Sequence, residues 1–254
     1  MAWHCKRLTL PEHGGSLIKR LAAEGVLDPL LSLAHSVWLA RDEIDLLAAT
    51  GTGVVLNPQG NLKMKCGIPP IRALQDAGVR IGLGCDNCSC SDAQNMFMAM
   101  KLFALLAAAS DPLPGPPQAA AALRAATEAG AESARLGHAI GRIVPGCRAD
   151  LTLIDMSDPS WLPLNSAVRQ LVHVEAGRGV RHVVVDGAVV VRDRRLTTID
   201  EDEIYDAVQA VMPGFRRDFT AISERVQRLQ PWLDMAHQRI VSTELDFDRI
   251  YIPF

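Results

Sequence analysis

A chain of 254 residues, 48% hydrophobic and 22% charged, has the composition of an ordinary globular protein and the length to bury a sizeable core. Its net charge of −3 with no basic block excludes the footprint of a nucleic-acid or membrane-surface protein, and no apolar run reaches the roughly 18–20 residues of a membrane span. Six cysteines and a start at Met1–Arg7 without an apolar leader point to reduced thiols in the cytoplasm and not to a disulfide framework.

In chain order, the first half reads as strand–loop–helix units. Residues 30–34 form a short apolar run that ends on His35, and a helix over 41–50 is closed by Gly51. Gly53-Val54-Val55-Leu56 is a buried strand ending on Asn57-Pro58, followed by an expected loop through Gly60, Asn61 and Gly67. Pro69-Pro70 opens a helix that Gly78 closes, and alternation over 79–84 predicts a strand running into Asp86. Ser91 or Asp92 is placed to cap the next helix, whose Met96, Phe97, Met100, Phe103 and Ala104 form a core stripe. A proline-rich loop over 111–117 and an alanine-rich helix over about 119–129 follow. From Gly141 the pattern turns to β, with Asp186-Gly187 as a hairpin turn between 180–185 and 188–191. Beyond Asp200 the chain is helical and amphipathic and ends in an apolar tail, 250–254. The domains expected are 1–142, 143–199 and a helical extension over 200–254.

His35, Asn57 and Asp86 stand at three successive strand ends, 22 and 29 residues apart, which are βα-unit lengths in a parallel sheet. Strand C-termini are where parallel α/β folds place catalytic and metal-binding groups. His35 can serve as acid or base, and Asp86 can bind a divalent metal or move a proton. Taken singly, each has a plain structural reading, as a hydrogen-bonded histidine and a helix cap. Cys85-x-x-Cys88-x-Cys90, with Cys66 nearby, has a spacing that can hold zinc. The preferred alternative is small buried thiols that fill gaps beside the strand.

These motifs in this order resemble the C-terminal part of the amidohydrolase superfamily. The group concerned is cytosine deaminase-like and includes the triazine chlorohydrolases, guanine deaminase and the methylthioadenosine/S-adenosylhomocysteine deaminases. The resemblance is carried by Leu33–Leu39, Val54–Pro70 and Ala77–Asp86, by Gly141–Asp155 as "GxIxPGxxADLxxxD", and by the turn at Val185-Asp186-Gly187. It runs from about residue 14 to 205. It implies an α/β fold: the C-terminal half of a metal-dependent hydrolase (β/α)₈ (TIM) barrel, plus part of a small β-sandwich domain. It further implies one divalent metal, zinc or iron, with Asp86 as metal ligand and proton shuttle and His35 in contact with the substrate. Asn57 and Asn61 match the pocket-shaping loop after strand seven, in which Gly60 replaces the family's usual Ser. The reaction implied is metal-hydroxide attack on an amidine-like ring carbon of an aminated heterocycle (nucleobase, pterin or triazine), expelling ammonia or another leaving group.

The family's metal site opens with a His-x-His pair, and this sequence contains none. His4 is the candidate for the strand-five metal ligand, although Arg7 stands where the family carries Glu. Three readings follow: an N-terminally truncated amidohydrolase, one half of a split enzyme completed by a separate N-terminal half, or a non-catalytic remnant. In the last, homo-oligomerisation buries the open barrel edge.

Overall fold

The structure, a computed structural model, describes residues 16–110 and 115–242. Helix α1 (Leu17–Ala23) starts at Ser16, whose hydroxyl accepts the Lys19 N–H at 3.1 Å. Strand β1 (Ser32–Ala34), helix α2 (Arg41–Thr50), strand β2 (Gly53–Leu56), helices α3 (Pro58–Lys63) and α4 (Ile71–Asp76), and strand β3 (Ile81–Leu83) follow. The three strands are parallel in the order β1-β2-β3, with Ala34 level with Val55 and Val55 level with Gly82. This register delivers the residues after all three strands to one rim.

Helices α5 (Cys88–Ser91), α6 (Met96–Ala109), α7 (Ala119–Ala126) and α8 (Glu128–Ser133) complete the first unit. Val54 and Leu56 of β2, Ile44 and Leu47 of α2, Leu74 of α4 and Phe103 of α6 are almost fully buried. Each such aliphatic or aromatic side chain contributes about 1.5–3 kcal/mol on leaving water. A four-stranded antiparallel sheet, β4 (Leu151–Ile154), β5 (Val180–Val185), β6 (Ala188–Arg192) and β7 (Arg195–Leu196), pairs in chain order. Asp186 and Gly187 both take positive φ (49° and 81°) in the expected hairpin turn. Between β4 and β5, helix α9 (Ala167–His173) sends Val172 into the main core. Helix α10 (Glu201–Val241) makes no extended contact with any other element.

Three local expectations are corrected. The segment after Asn57 is helical through Lys63 and not a loop, because Pro58 occupies a first-turn position where no N–H is needed. Helix α6 is capped by Asn95, whose side chain accepts the Met98 N–H at 3.0 Å, whereas Asp92 lies in the left-handed region and ends α5. The alanine-rich helix breaks at Thr127, which leaves helical geometry (ψ −87°) and divides it into α7 and α8.

Candidate active site

His35 and Asp86 both follow strands, and both are held in the left-handed region, at φ 67° and 60°. This conformation is uncommon for a residue with a side chain, and it persists only where the surroundings fix it. The His35 N–H donates to the Val55 carbonyl at 2.8 Å and prolongs the sheet ladder by one bond. On the ring, Nδ1 lies 2.9 Å from Oδ1 of Asn61, and Nε2 lies 3.8 Å from Oδ2 of Asp86. An amide oxygen facing Nδ1 suits the tautomer that carries its proton there, with Nε2 turned toward Asp86.

Asp86 is positioned from its backbone outward. Its N–H donates to Oδ1 of Asn57 at 3.1 Å, and the side-chain amide of Gln94 donates to its carbonyl. Its Oδ1 accepts the Asn87 N–H at 2.8 Å, leaving Oδ2 on the His35 side. Asn57 therefore gives its side-chain oxygen to Asp86 instead of capping α3. Two glycines make room for this arrangement. A Cβ on Gly84 would stand 2.4 Å from Oδ1 of Asn57, and one on Gly60 would stand 3.1 Å from Oδ2 of Asp86.

Asn57 and Asn61 are buried, whereas the side chains of His35 and Asp86 retain 37% and 23% exposure. His35 and Asp86 thus reach solvent and the two asparagines that hold them do not. Trp38 pins the loop after α3 by donating its indole N–H to the Cys66 carbonyl at 2.7 Å. On the α1 side of His35, Leu17, Leu21, Leu33 and Trp38 line a mostly apolar cavity of 260 Å³.

The structure thus brings His35, Asn57, Asn61 and Asp86 together, while His4 lies outside the described residues. Among the described residues, no group of three or more His, Cys, Asp or Glu side chains could hold a metal ion. His35 and Asp86 alone fall short of the three protein ligands of a catalytic zinc. The cysteines among the described residues form no such group either. Cys85 is buried, which pushes its thiol pKa up, and Cys88 is exposed. The sequence motifs include Gly60 in the pocket-shaping loop but do not single out Gln94 or Gly84, for which the one signal is a glycine two residues before Asp86.

Residues 9–190 match the sequence profile of the amidohydrolase family. The chain belongs to this family. The 5-methylthioadenosine/S-adenosylhomocysteine deaminase of Syntrophobacter fumaroxidans is 35% identical over 204 residues, covering 80% of this chain and 46% of that protein. The Haloarcula marismortui protein of the same name is 37% identical over 193 residues, covering 76% and 44%. Among solved structures, an adenosine deaminase from Xanthomonas campestris with bound zinc superposes with a TM-score of 0.80 at 30% identity, covering 84% of this chain and 48% of that one. Atrazine chlorohydrolase TrzN from Arthrobacter aurescens TC1, complexed with zinc, gives 0.75 at 25% identity, covering 82% and 46%. This amidohydrolase chain spans about half the length of the relatives it matches. Their names bear out the resemblance drawn from the motifs.

Proposed function

We propose that this amidohydrolase chain carries the C-terminal half of a metal-dependent deaminase site acting on an aminated heterocycle. In this reading β1, β2 and β3 are the last three strands of a (β/α)₈ barrel. Residues 143–199 belong to the small β domain, and 200–254 form an extension. The observation that carries the reading is the approach of His35 Nε2 to Asp86 Oδ2, 3.8 Å apart on one strand-end rim. In the tautomer that the Asn61 oxygen favours, with the proton on Nδ1, His35 Nε2 would meet the substrate ring as a hydrogen-bond acceptor. Asp86 is placed to take a proton and pass it to the leaving amine. Asn57 and Gln94 fix the backbone from which that carboxylate projects.

A divalent metal, zinc or iron, would take Asp86 as one ligand, and the described residues do not complete its set. The remaining ligands would come from His4 or from a complementing N-terminal half. The test is to co-express the chain with the N-terminal half of the Syntrophobacter fumaroxidans relative and to measure bound metal and ammonia release. The substrate panel is aminopurines, pterins and triazines. Ammonia release that falls by about 10²–10⁴ in His35→Asn and Asp86→Asn is the expected result. A complex that assembles and binds metal, yet releases no ammonia from any of them, sinks the deaminase reading. A second reading, a non-catalytic interaction protein, would be supported by a complex that assembles without metal or turnover.

A further inference from the structure

Helix α10 runs for 41 residues, about 60 Å at 1.5 Å per residue, and none of its described side chains is buried. Yet one face is apolar from end to end. Ile204, Val208, Val211 and Phe215 recur at steps of four, three and four residues, all exposed. After one further four-residue step, Phe219, Ile222, Val226, Leu229 and Leu233 continue the stripe, with Ala236 one step beyond. Phe215 and Phe219 stack across that step, with ring centroids 6.0 Å apart. Alternating steps of three and four are the seam of a helix that packs lengthwise on another helix. The single extra step of four is a stutter, which locally unwinds the supercoil without breaking the seam.

We infer that α10 is a self-association helix that pairs antiparallel with α10 of a second copy of this chain, about a two-fold axis at Ile222. Three observations select that partner and direction. The first is the symmetry of the stripe. An axis at Ile222 brings Val208 level with Ala236, Val211 with Leu233, and Phe215 with Leu229, while Phe219 and Val226 next to the axis stand one residue out of register with each other.

The second is the position of the prolines. Pro213 and Pro231 lie inside the helix, nine residues to either side of Ile222. In the antiparallel pair they fall at one level. Both lie on the face opposite the stripe, where a missing N–H and a bulky ring leave the seam clear. A bend in one helix is then matched by a bend in its partner.

The third is charge. Glu201, Asp202, Glu203 and Asp206 crowd the first turns with no cation among them, whereas Arg225, Arg228 and Arg239 lie in the second half. A parallel pair would set eight carboxylates side by side at one end. The antiparallel pair separates the two clusters by the length of the helix, brings Arg239 near each, and opposes the helix dipoles. The area is sufficient as well: some ten half-exposed side chains amount to roughly the 800 Å² per partner of a standard stable interface.

Sedimentation of the full chain across micromolar concentrations tests this together with cross-linking. The chain is expected to dimerise, and mixing Val208→Cys with Ala236→Cys protein under mild oxidation should yield a 208–236 linked peptide by mass spectrometry. A Phe215→Glu/Val226→Glu double variant should bind its copy at least about thirtyfold more weakly, the effect of removing a hot spot worth 2 kcal/mol. Circular dichroism checks that this variant keeps its helix. A chain that stays monomeric throughout overturns the proposal, as does a dimer unaffected by the double variant. A 208–208 link that dominates over 208–236 overturns the antiparallel arrangement.

Discussion

Gly84 is a glycine because of Asn57. With only 2.4 Å between a Cβ at position 84 and the Asn57 side-chain oxygen, Gly84→Ala must displace the amide that holds the Asp86 backbone. Overpacking of this kind costs about 1–3 kcal/mol. The expected outcome is a lower urea midpoint with an unchanged m-value, together with loss of any activity found for the complemented chain. Asn61 makes a different kind of contribution, since its oxygen lies 2.9 Å from His35 Nδ1 and favours a proton on that nitrogen. Asn61→Leu removes that choice. Long-range ¹H–¹⁵N correlation of the imidazole should show an Nδ1–H tautomer in the parent and a mixture in the variant. The same tautomer in both would rule out Asn61 as its determinant.

Between elements, α1 is clamped to α2 by a buried and an exposed contact. Ser16 caps α1 and also donates its hydroxyl to the buried Glu43 carboxylate of α2, which accepts the Ala40 N–H as well. Ser16→Ala is expected to cost about 1–3 kcal/mol by thermal or urea melting, as the cap and one bond to a buried carboxylate are lost together. The exposed contact is Lys19–Asp42 at 2.5 Å, with side chains more than half accessible. The hydrogen bond from Lys19 lowers the Asp42 pKa, and the bond to Asp42 raises that of Lys19. The depressed Asp42 stabilises the fold above the unfolded carboxylate range and ceases to do so as pH falls through its folded value. The raised Lys19 stabilises below the unfolded lysine range and ceases to do so as pH rises through its folded value. The pair therefore acts between about pH 4 and pH 10, and at this exposure contributes under about 1 kcal/mol. In Lys19→Met the Asp42 carboxyl should titrate at a higher pH by NMR; an unmoved titration would mean that Lys19 does not set it.

Features set by neighbouring residues were legible in the sequence. Gly51 and Gly78, in left-handed positions, close α2 and the α4 turn, and Asp186-Gly187 makes the hairpin. The strand ends at His35, Asn57 and Asp86 also fall where alternation and turn residues put them. Features settled by contacts across the fold were not legible. The oxygen of Asn57 could have capped its own helix, and only the packing of Asp86 against it decides otherwise. Asn95 displaced Asp92 as the cap of α6, and its side-chain N–H₂ also donates to the Ala176 carbonyl, 81 residues away at 2.9 Å.

At the scale of the molecule, α10 and the rest of the chain have separate sources of stability. The main core is built from β1–β3 and the helices around them, with Val172 of α9 inserted, and α10 contributes no residue to it. Its principal ties to what precedes it are the Arg195 contacts with the half-buried Glu201 and the exposed Asp202, at 3.7 and 3.4 Å, and the Leu196 N–H that donates to Glu201 at 3.2 Å. An exposed pair such as Arg195–Asp202 is worth under about 1 kcal/mol, and the few bonds to Glu201 are too local to tie the helix to the core. Ending the chain after residue 199 should therefore leave near-ultraviolet circular dichroism intact and shift the urea midpoint of the core little. Dimerisation adds a term that only the full chain has, because association with a second folded copy stabilises the native state by mass action. Unfolding of α10, followed by its helical signal, should therefore move to higher urea as the full chain is concentrated, whereas the shortened chain should melt independently of concentration. A full chain whose α10 signal is lost at the same urea at every concentration would show that the helix is not held by a partner.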